Sequence, residues 1–207
     1  MARRTKEEAQ ATRSHILDTA EFVFGQRGVS RTSLHEIASA AGMTRGAIYW
    51  HFKDKADLFN AMMERVTLPL EETCRPSIGD EPGAAIAEMR DSFVAVLRKV
   101  VADPQLRRVF EIATHKVEYV DEMHAVRARH ISMRNECWAD VEQRFSRAMR
   151  RGELARRMPA RAAAVGLHAL LDGLLQNWML DPEDFDLVRV GRQVLDAYLA
   201  SLALPAP

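Results

Sequence analysis

The sequence predicts an all-α protein, and three observations support this fold class. Apolar residues recur at the i, i+3, i+4, i+7 spacing of a helix face along most of the chain. Strict alternation of the kind that marks β-strands is not found, nor is an internal repeat. Turn and capping residues such as Gly28, Gly152 and Pro182 separate the periodic segments. With 207 residues, 47% of them hydrophobic, the chain can form one large domain or two small ones.

Composition narrows the function classes. The formal net charge is zero, which argues against a non-specific nucleic-acid binder, although residues 1–55 carry nine Lys and Arg against six Asp and Glu. The two cysteines, Cys74 and Cys137, lack metal-ligand spacing, so we expect reduced thiols, with a disulfide as the open alternative. No apolar run reaches the length of a membrane span, and no signal peptide is recognisable. We therefore expect a cytoplasmic protein without a membrane partner.

The chain is organised around residues 33–59, which predict two short helices and the start of a third. Ser33 and Glu36 form a capping box for a helix over residues 34–41. Gly42 supplies the turn, because glycine adopts the left-handed conformation that ends a helix. Thr44 caps a second helix over residues 45–52, and Asp54 caps a third that begins at residue 55. This is the helix-turn-helix layout, although an ordinary helix pair has the same spacing.

The composition of the second helix favours DNA binding. Ile48 and Phe52 lie four residues apart and can fix the helix inward, which leaves exposed side chains that include aromatic residues. Arg45 can bind guanine through two hydrogen bonds, and Gly46 lets the backbone approach DNA closely. Phosphate contacts are expected from tyrosine, histidine and lysine side chains and from the amide groups that begin the third helix. The predicted DNA-binding residues are Thr44, Arg45, Gly46, Tyr49, Trp50, His51 and Lys55.

The periodic segments continue to the end of the chain. They cover residues 8–27, 34–41, 45–52, 55–74, 84–102, 105–116, 121–151, 160–180 and 186–204, with a polar arm at 1–7 and a loop at 76–83. Pro69 predicts a kink or an end near Leu68. Residues 160–180 are apolar on nearly every side, which predicts burial against another subunit. We place a DNA-binding domain at residues 1–54 and a second helical domain at residues 55–207.

The segment TRGAIYWHFKDKADLF, preceded by SLHEIASAAGM, resembles the DNA-binding domain of the TetR family of bacterial repressors. The opening MARRTKEEAQATRSHILDTAEFVFGQRGV is similar to the AcrR/TtgR-like branch, which controls multidrug efflux pumps. The resemblance implies a homodimer that binds a palindromic double-stranded DNA operator and is released by a small hydrophobic or aromatic effector. It implies no catalytic activity and no cofactor. The fold is then an N-terminal three-helix helix-turn-helix domain followed by a C-terminal helical ligand-binding and dimerisation domain.

The resemblance also implies a ligand cavity and a dimer interface in the second domain. The expected ligand-binding residues are Val66, Leu70, Met89, Phe93, Val96, Phe110, Thr114, Cys137, Val141, His168, Leu171, Asp172 and Leu175. The expected dimer residues are Leu167, Leu170, Leu174, Trp178, Val194 and Tyr198. For the apolar members, ordinary core packing is the alternative. For His168 and Asp172, which share a helix face, the alternative is a mutually satisfied pair at a helix or subunit interface.

Other function classes have weaker support. His115, His124 and His130 are not spaced for ligands on one helix face, and no nucleophile elbow, paired carboxylates or phosphate-binding glycine loop is present. The open alternatives are a regulator of another pathway, such as metabolism or stress response, a metal-responsive regulator, and a helical enzyme.

Overall fold

The computed structural model describes residues 6–74 and 84–203, with side chains throughout except at positions 71–74, 84 and 85. Within those residues the chain is helical apart from turns and one isolated β-bridge, Leu154–Ala203, which confirms the all-α prediction. The helices are α1 Lys6–Arg27, α2 Leu34–Ala40, α3 Arg45–Tyr49, α4 Lys55–Cys74, α5 Ala84–Ala102, α6 Pro104–His115, a 3-10 helix Asp121–Met123, α7 His124–Arg150, α8 Ala160–Leu180 and α9 Leu187–Leu202.

The helix ends differ from the expected ones at a few positions. Helix α3 ends at Tyr49 rather than at residue 52, because Trp50 is already its C-cap. Helix α4 continues to Cys74, as its apolar pattern predicts. Because Pro69 lies inside it, the helix does not end near Leu68, and the kink, which was the other alternative at this proline, stays a prediction. The predicted loop at 76–83 and the first five residues of the predicted arm lie outside the described residues, whereas Lys6 and Glu7 belong to α1.

The structure divides into two compact units. The first comprises the chain up to Leu68 together with Gln105–His130, and the second comprises Pro69–Pro104 and the chain from Ile131 onward. This division differs from the boundary expected between residues 54 and 55, because α4 as far as Leu68 and the segment around α6 pack with the helix-turn-helix region. The functional boundary at residue 54 stays a prediction.

A buried carboxylate holds α1, α4 and α6 together in the first unit. The side chain of Glu21 is only 3% exposed. It accepts a short hydrogen bond from Arg65 and one of 2.9 Å from the Gln105 side chain, and it lies 3.6 Å from the Arg108 guanidinium. Arg65 also pairs with the exposed Asp18 at 2.7 Å. Because a buried charge is costly without partners, this cluster fixes the relative positions of three helices.

The second unit packs α9 against α5 and α8. A Cβ atom at Gly191 would overlap a methyl group of Leu97, which is fully buried, so α5 and α9 approach closely at this glycine. The Tyr198 hydroxyl donates a 2.8 Å hydrogen bond to the carbonyl of Ala163 in α8. The same hydroxyl would stand 2.7 Å from a Cβ at Gly166, so glycine is required there for the contact.

Candidate DNA-binding surface and effector cavity

The turn between α2 and α3 is built as the sequence predicts. The Ser33 backbone N–H donates to Glu36 at 2.8 Å, and the Glu36 N–H donates to the Ser33 hydroxyl at 3.2 Å, which confirms the capping box. Hydrogen bonds from the Ser33 backbone and side chain lower the pKa of Glu36 below its usual value. Gly42 has a φ of +67°, the left-handed conformation that ends α2.

Helix α3 is fixed to the first unit by its apolar side. Ile48 and Phe52 are buried, as predicted, and the Arg13 guanidinium lies 4.9 Å from the centre of the Phe52 ring. The Thr44 hydroxyl caps the helix by accepting a 3.3 Å hydrogen bond from the Ala47 N–H. A short helix with this support has a defined orientation, which a sequence-reading element requires.

The opposite side of α3 exposes the residues expected to contact DNA. Arg45, Tyr49 and Trp50 are exposed, and Trp50 is 89% accessible, an unusual state for so large an apolar side chain. The Arg45 guanidinium lies 5.7 Å from the centre of the Tyr49 ring, so the two side chains stand together. A Cβ at Gly46 would have no neighbour within 4 Å, so the surface there is open. His51 is half-buried beside Phe52, with 6.5 Å between the ring centres.

Among the residues predicted to bind DNA, Lys55 differs because its side chain is buried. Its side chain is only 4% exposed, and its ammonium group donates to the Ser30 carbonyl at 3.3 Å and pairs with Glu122 at 2.9 Å. The prediction that this side chain reaches DNA phosphates is therefore wrong for the described structure, because the α1–α2 turn and the 3-10 helix cover it. Lys55 instead connects the start of α4 to both segments.

Two carboxylates lie at the N-terminus of α4, where an anion site was expected. The Asp57 N–H donates to the Asp54 carboxylate at 2.8 Å, and the Lys53 N–H donates to the Asp57 carboxylate at 2.9 Å. These two carboxylates cap the helix end and repel a phosphate. The Asp57 amide group, which belongs to the first turn of α4, is thus used by the chain itself, and the exposed surface predicted to contact DNA centres on α3.

The second unit contains a cavity of about 120 Å³ between α5 and α7. Five of the expected ligand-binding residues line it, namely Met89, Phe93, Val96, Cys137 and Val141. No disulfide to Cys137 is found among the described side chains, and the side chain of Cys74 lies outside them, so the expectation of two reduced thiols stays a prediction. The structure therefore brings the α5 and α7 members of the predicted site together.

Three polar residues of the cavity wall were missed, namely Ser92, Asp140 and Arg144. Their spacing was nevertheless a usable signal. Positions 89, 92, 93 and 96 of α5, like positions 137, 140, 141 and 144 of α7, follow the i, i+3, i+4, i+7 pattern of one helix face. The predicted site took its polar groups from positions 114, 168 and 172 instead of from these two faces.

The other expected ligand-binding residues do not line this cavity. Val66, Phe110 and Thr114 belong to the first unit, and Leu70, His168, Leu171, Asp172 and Leu175 lie elsewhere in the second. Val66, Leu70 and Leu171 are buried, in agreement with the core-packing alternative. Ligand contacts by these residues stay a prediction.

His168 and Asp172 contact each other, which agrees with the alternative to a role in ligand binding. The His168 Nδ1 atom lies 2.9 Å from the Asp172 carboxylate. The imidazole and the Trp138 indole are nearly perpendicular, with 5.8 Å between ring centres, and the guanidinium groups of Arg134 and Arg161 lie 4.3 and 4.9 Å from the same indole. This polar cluster connects α7 to α8 and is separate from the cavity.

The residues expected at a dimer interface fall into two groups. Leu167 and Trp178 are buried within the single chain, so a direct role in subunit contact is wrong for them; they pack inside the second unit. Leu170, Leu174, Val194 and Tyr198 are half-exposed and remain available. Leu180, at the end of α8, is 70% exposed and was missed, although it closes the apolar 160–180 segment.

Comparison with known proteins connects these features to a family. Residues 16–62 match the family described as bacterial regulatory proteins, tetR family. Residues 84–204 match the family described as MAATS-type transcriptional repressor, C-terminal region. The chain belongs to the TetR family of transcriptional regulators. TetR-family regulators bind DNA operators and small effectors as dimers and are not enzymes, so the prediction of a non-enzymatic regulator is confirmed.

Several relatives are similar over their whole length. The regulator TtgR of Pseudomonas putida is 39% identical over 204 residues, which cover 99% of this chain and 97% of that protein. The repressor BepR of Brucella suis biovar 1 is 40% identical over 99% of this chain and 98% of that protein. The crystal structure of NalD, the secondary repressor of the MexAB-OprM multidrug efflux pump in Pseudomonas aeruginosa, has a TM-score of 0.88 and 34% identity, covering 97% of this chain and 100% of NalD. The SmeT–triclosan complex has a TM-score of 0.78 and 32% identity, covering 95% of this chain and 98% of SmeT.

Among the described side chains, no group of three or more His, Cys, Asp or Glu residues is arranged to hold a metal ion. A transmembrane helix needs about 20 consecutive apolar residues. No helix of the described chain meets that requirement in both length and hydropathy.

Proposed function

We propose that this chain is a homodimeric repressor of a multidrug efflux operon, which binds a palindromic operator and leaves it when a hydrophobic or aromatic compound binds. It acts in the cytoplasm, where its operator lies. The observation that carries the proposal is the surface of α3, where Arg45, Tyr49 and Trp50 are exposed above the buried Ile48 and Phe52. Exposed aromatic and guanidinium groups on a fixed helix suit contact with the bases and backbone of a major groove.

We assign a role on DNA to each residue in and next to α3 from the exposure of its side chain. Arg45 donates two hydrogen bonds to a guanine, and Gly46 allows the helix backbone to come close to the groove. Tyr49 and His51 reach phosphates, and Thr44 and Trp50 contact the DNA at the two ends of α3. Two copies of α3 in one dimer then read half-sites one helical turn apart, about 34 Å.

The α5–α7 cavity is the proposed effector site. Its wall is mostly apolar with a few polar groups, the composition expected for a small-molecule site. Two relatives support the drug-related function: NalD represses a multidrug efflux pump, and SmeT has been crystallised with triclosan. A coupling free energy of about 1–3 kcal/mol between effector and operator suffices to switch occupancy.

The dimer is proposed to form through the exposed apolar side chains of α8 and α9. Leu170, Leu174, Leu180, Val194 and Tyr198 are half-exposed or exposed in the single chain. Covering such side chains contributes roughly 25 cal/mol for each Å² of apolar surface removed from water, which has to exceed the entropic cost of association. Analytical ultracentrifugation of the full chain tests this part, and a monomer at micromolar concentration contradicts it.

The DNA-binding proposal is tested by a gel shift with the DNA upstream of the protein's own gene. We expect Arg45→Ala to weaken binding by about 1–3 kcal/mol and to relax the choice at one base pair. Arg98→Ala, which removes an exposed arginine of α5, is the matched control and leaves the affinity unchanged. Wild-type affinity of the Arg45 variant at several salt concentrations contradicts the contact.

The regulatory target is tested by expression measurements in a strain that lacks the gene. Increased transcription of a neighbouring efflux operon supports the proposal. Unchanged efflux transcription, with metabolic or stress genes induced instead, assigns the protein to another pathway.

A further inference from the structure

The α5–α7 cavity is small. Its volume is about 120 Å³. An apolar cavity of about 150 Å³ accommodates benzene, whereas sites for drug-sized molecules begin near about 300 Å³. In the described state the cavity is therefore close in size to a site for one aromatic ring and well below the size of a site for a drug-sized molecule.

Most of the cavity wall suits such a ring. Met89 of α5 and Val141 of α7 are buried, and Phe93 and Val96 of α5 are half-buried. A flat aromatic ring gains dispersion and apolar burial against these side chains, and the thioether and phenyl groups add favourable contacts with its edge and face.

One end of the cavity is charged. The Arg144 side chain is only 19% exposed, and its Nε atom donates a 2.8 Å hydrogen bond to Asp140, which is 56% exposed. Both residues line the cavity, and the guanidinium group is the more buried member of the pair. An arginine side chain has five donors, and this bond uses one of them.

Arg144 and Asp140 pair with each other, so a charged ligand has to compete with one of them. An anion competes with Asp140 for Arg144 more effectively than a cation competes with Arg144 for Asp140. A carboxylate inside the cavity meets the guanidinium where little water screens it, and charge-assisted bonds are strongest in such places. A cation paired with Asp140 remains at the exposed edge, where an ion pair contributes little. The charge arrangement thus favours an acidic ligand.

We infer that the effector site selects single-ring aromatic compounds with one carboxylate. The ring lies among Met89, Phe93, Val96 and Val141, and the carboxylate accepts hydrogen bonds from Arg144 in place of Asp140. The inference rests on the proposed function, in which this cavity is the effector site.

The test is isothermal titration calorimetry of the full-length dimer with sodium benzoate and with benzamide, its neutral isostere. We expect benzoate to bind about 10- to 100-fold more tightly, because only the acid forms a charge-assisted bond with Arg144. Arg144→Gln should remove this preference and leave benzamide affinity within about twofold. The matched control is Arg147→Gln, since Arg147 lies on the same helix, is exposed and does not line the cavity.

A second variant should strengthen benzoate binding, whereas Arg144→Gln weakens it. Asp140→Asn removes the competitor for Arg144, so benzoate should bind about two- to fivefold more tightly. A merely structural role of the Asp140–Arg144 pair predicts no gain. Equal affinity for benzoate and benzamide in the wild type, an unchanged preference in Arg144→Gln, or weaker benzoate binding in Asp140→Asn overturns the inference.

A gel shift separates this inference from the proposed function. If neutral aromatic compounds release the operator and benzoate does not, the effector site stands and the acidic class is wrong. If the protein binds no operator, the proposed function fails, while the calorimetric comparison still decides whether the cavity prefers acids.

Discussion

Replacing Glu21 by glutamine removes one charge from the first unit without changing the size of the side chain. In the wild type this buried carboxylate meets Arg65 from α4 and both Gln105 and Arg108 from α6. The substitution leaves the Gln105 bond possible, since an amide oxygen still accepts. It removes the charge that the two guanidinium groups face.

The size of the effect follows from the exposure of the partners. Breaking a fully buried ion pair by removing one member costs about 3–5 kcal/mol. Here Arg65 is about a quarter exposed and keeps Asp18 as a partner at 2.7 Å, and Arg108 is half-exposed, so both arginines retain solvation. The neutral side chain also escapes the desolvation penalty of the carboxylate. We therefore expect Glu21→Gln to lower the free energy of unfolding by about 2 kcal/mol.

Urea denaturation followed by far-UV circular dichroism measures this quantity, at one fixed protein concentration because dimer formation shifts apparent stability. The matched control is Asp18→Asn, which removes the exposed partner of Arg65 and should cost no more than about 1 kcal/mol. If Glu21→Gln proves as stable as Asp18→Asn, or more stable than the wild type, the buried carboxylate does not stabilise the three-helix junction.

Three further predictions concern glycine and tyrosine positions. Gly46→Ala should leave the free energy of unfolding in urea within about 0.5 kcal/mol of wild type yet weaken operator binding in a gel shift, because its Cβ meets only open space that DNA would occupy. Gly191→Ala should lower the free energy of unfolding by about 1–3 kcal/mol through overlap with a buried leucine, whereas Gly25→Ala, with only an ordinary contact, should raise it by about 0.5–1 kcal/mol. Burial raises the pKa values of Tyr198 and Tyr119 above 10.0, so the folded state favours their neutral hydroxyls. The free energy of unfolding, measured in urea at several pH values, should therefore keep this contribution below pH 10 and lose it as the pH rises further. The loss should be less steep in Tyr198→Phe.

Local chemistry made the helix-turn-helix predictable. The capping box of Ser33 and Glu36, the left-handed Gly42 and the inward pair of Ile48 and Phe52 each depend on residues within a few positions of one another. Such features are encoded in short spacings, so periodicity and capping rules identify them directly.

The features that could not be predicted depend on contacts between residues that are far apart in the sequence. Lys55 looks like a phosphate-binding residue from its neighbours, but its charge pairs with Glu122, which is remote in sequence. Leu167 and Trp178 carry the same apolar pattern as Leu170, and only tertiary packing decides which are buried within one chain. The cavity residues of α5 and α7 shared helix faces in the sequence, but which two faces meet depends on the fold.

The three tryptophans of the chain occupy three different environments, and this makes the protein its own optical probe. Trp50 is exposed at the end of α3, Trp138 lies half-buried near two guanidinium groups, and Trp178 is buried. An indole in water emits at longer wavelength than a buried one, so selective quenching of the red edge reports events at α3. Variants that retain a single tryptophan can then follow operator binding through Trp50 and unfolding through Trp178 in one molecule, without any attached dye.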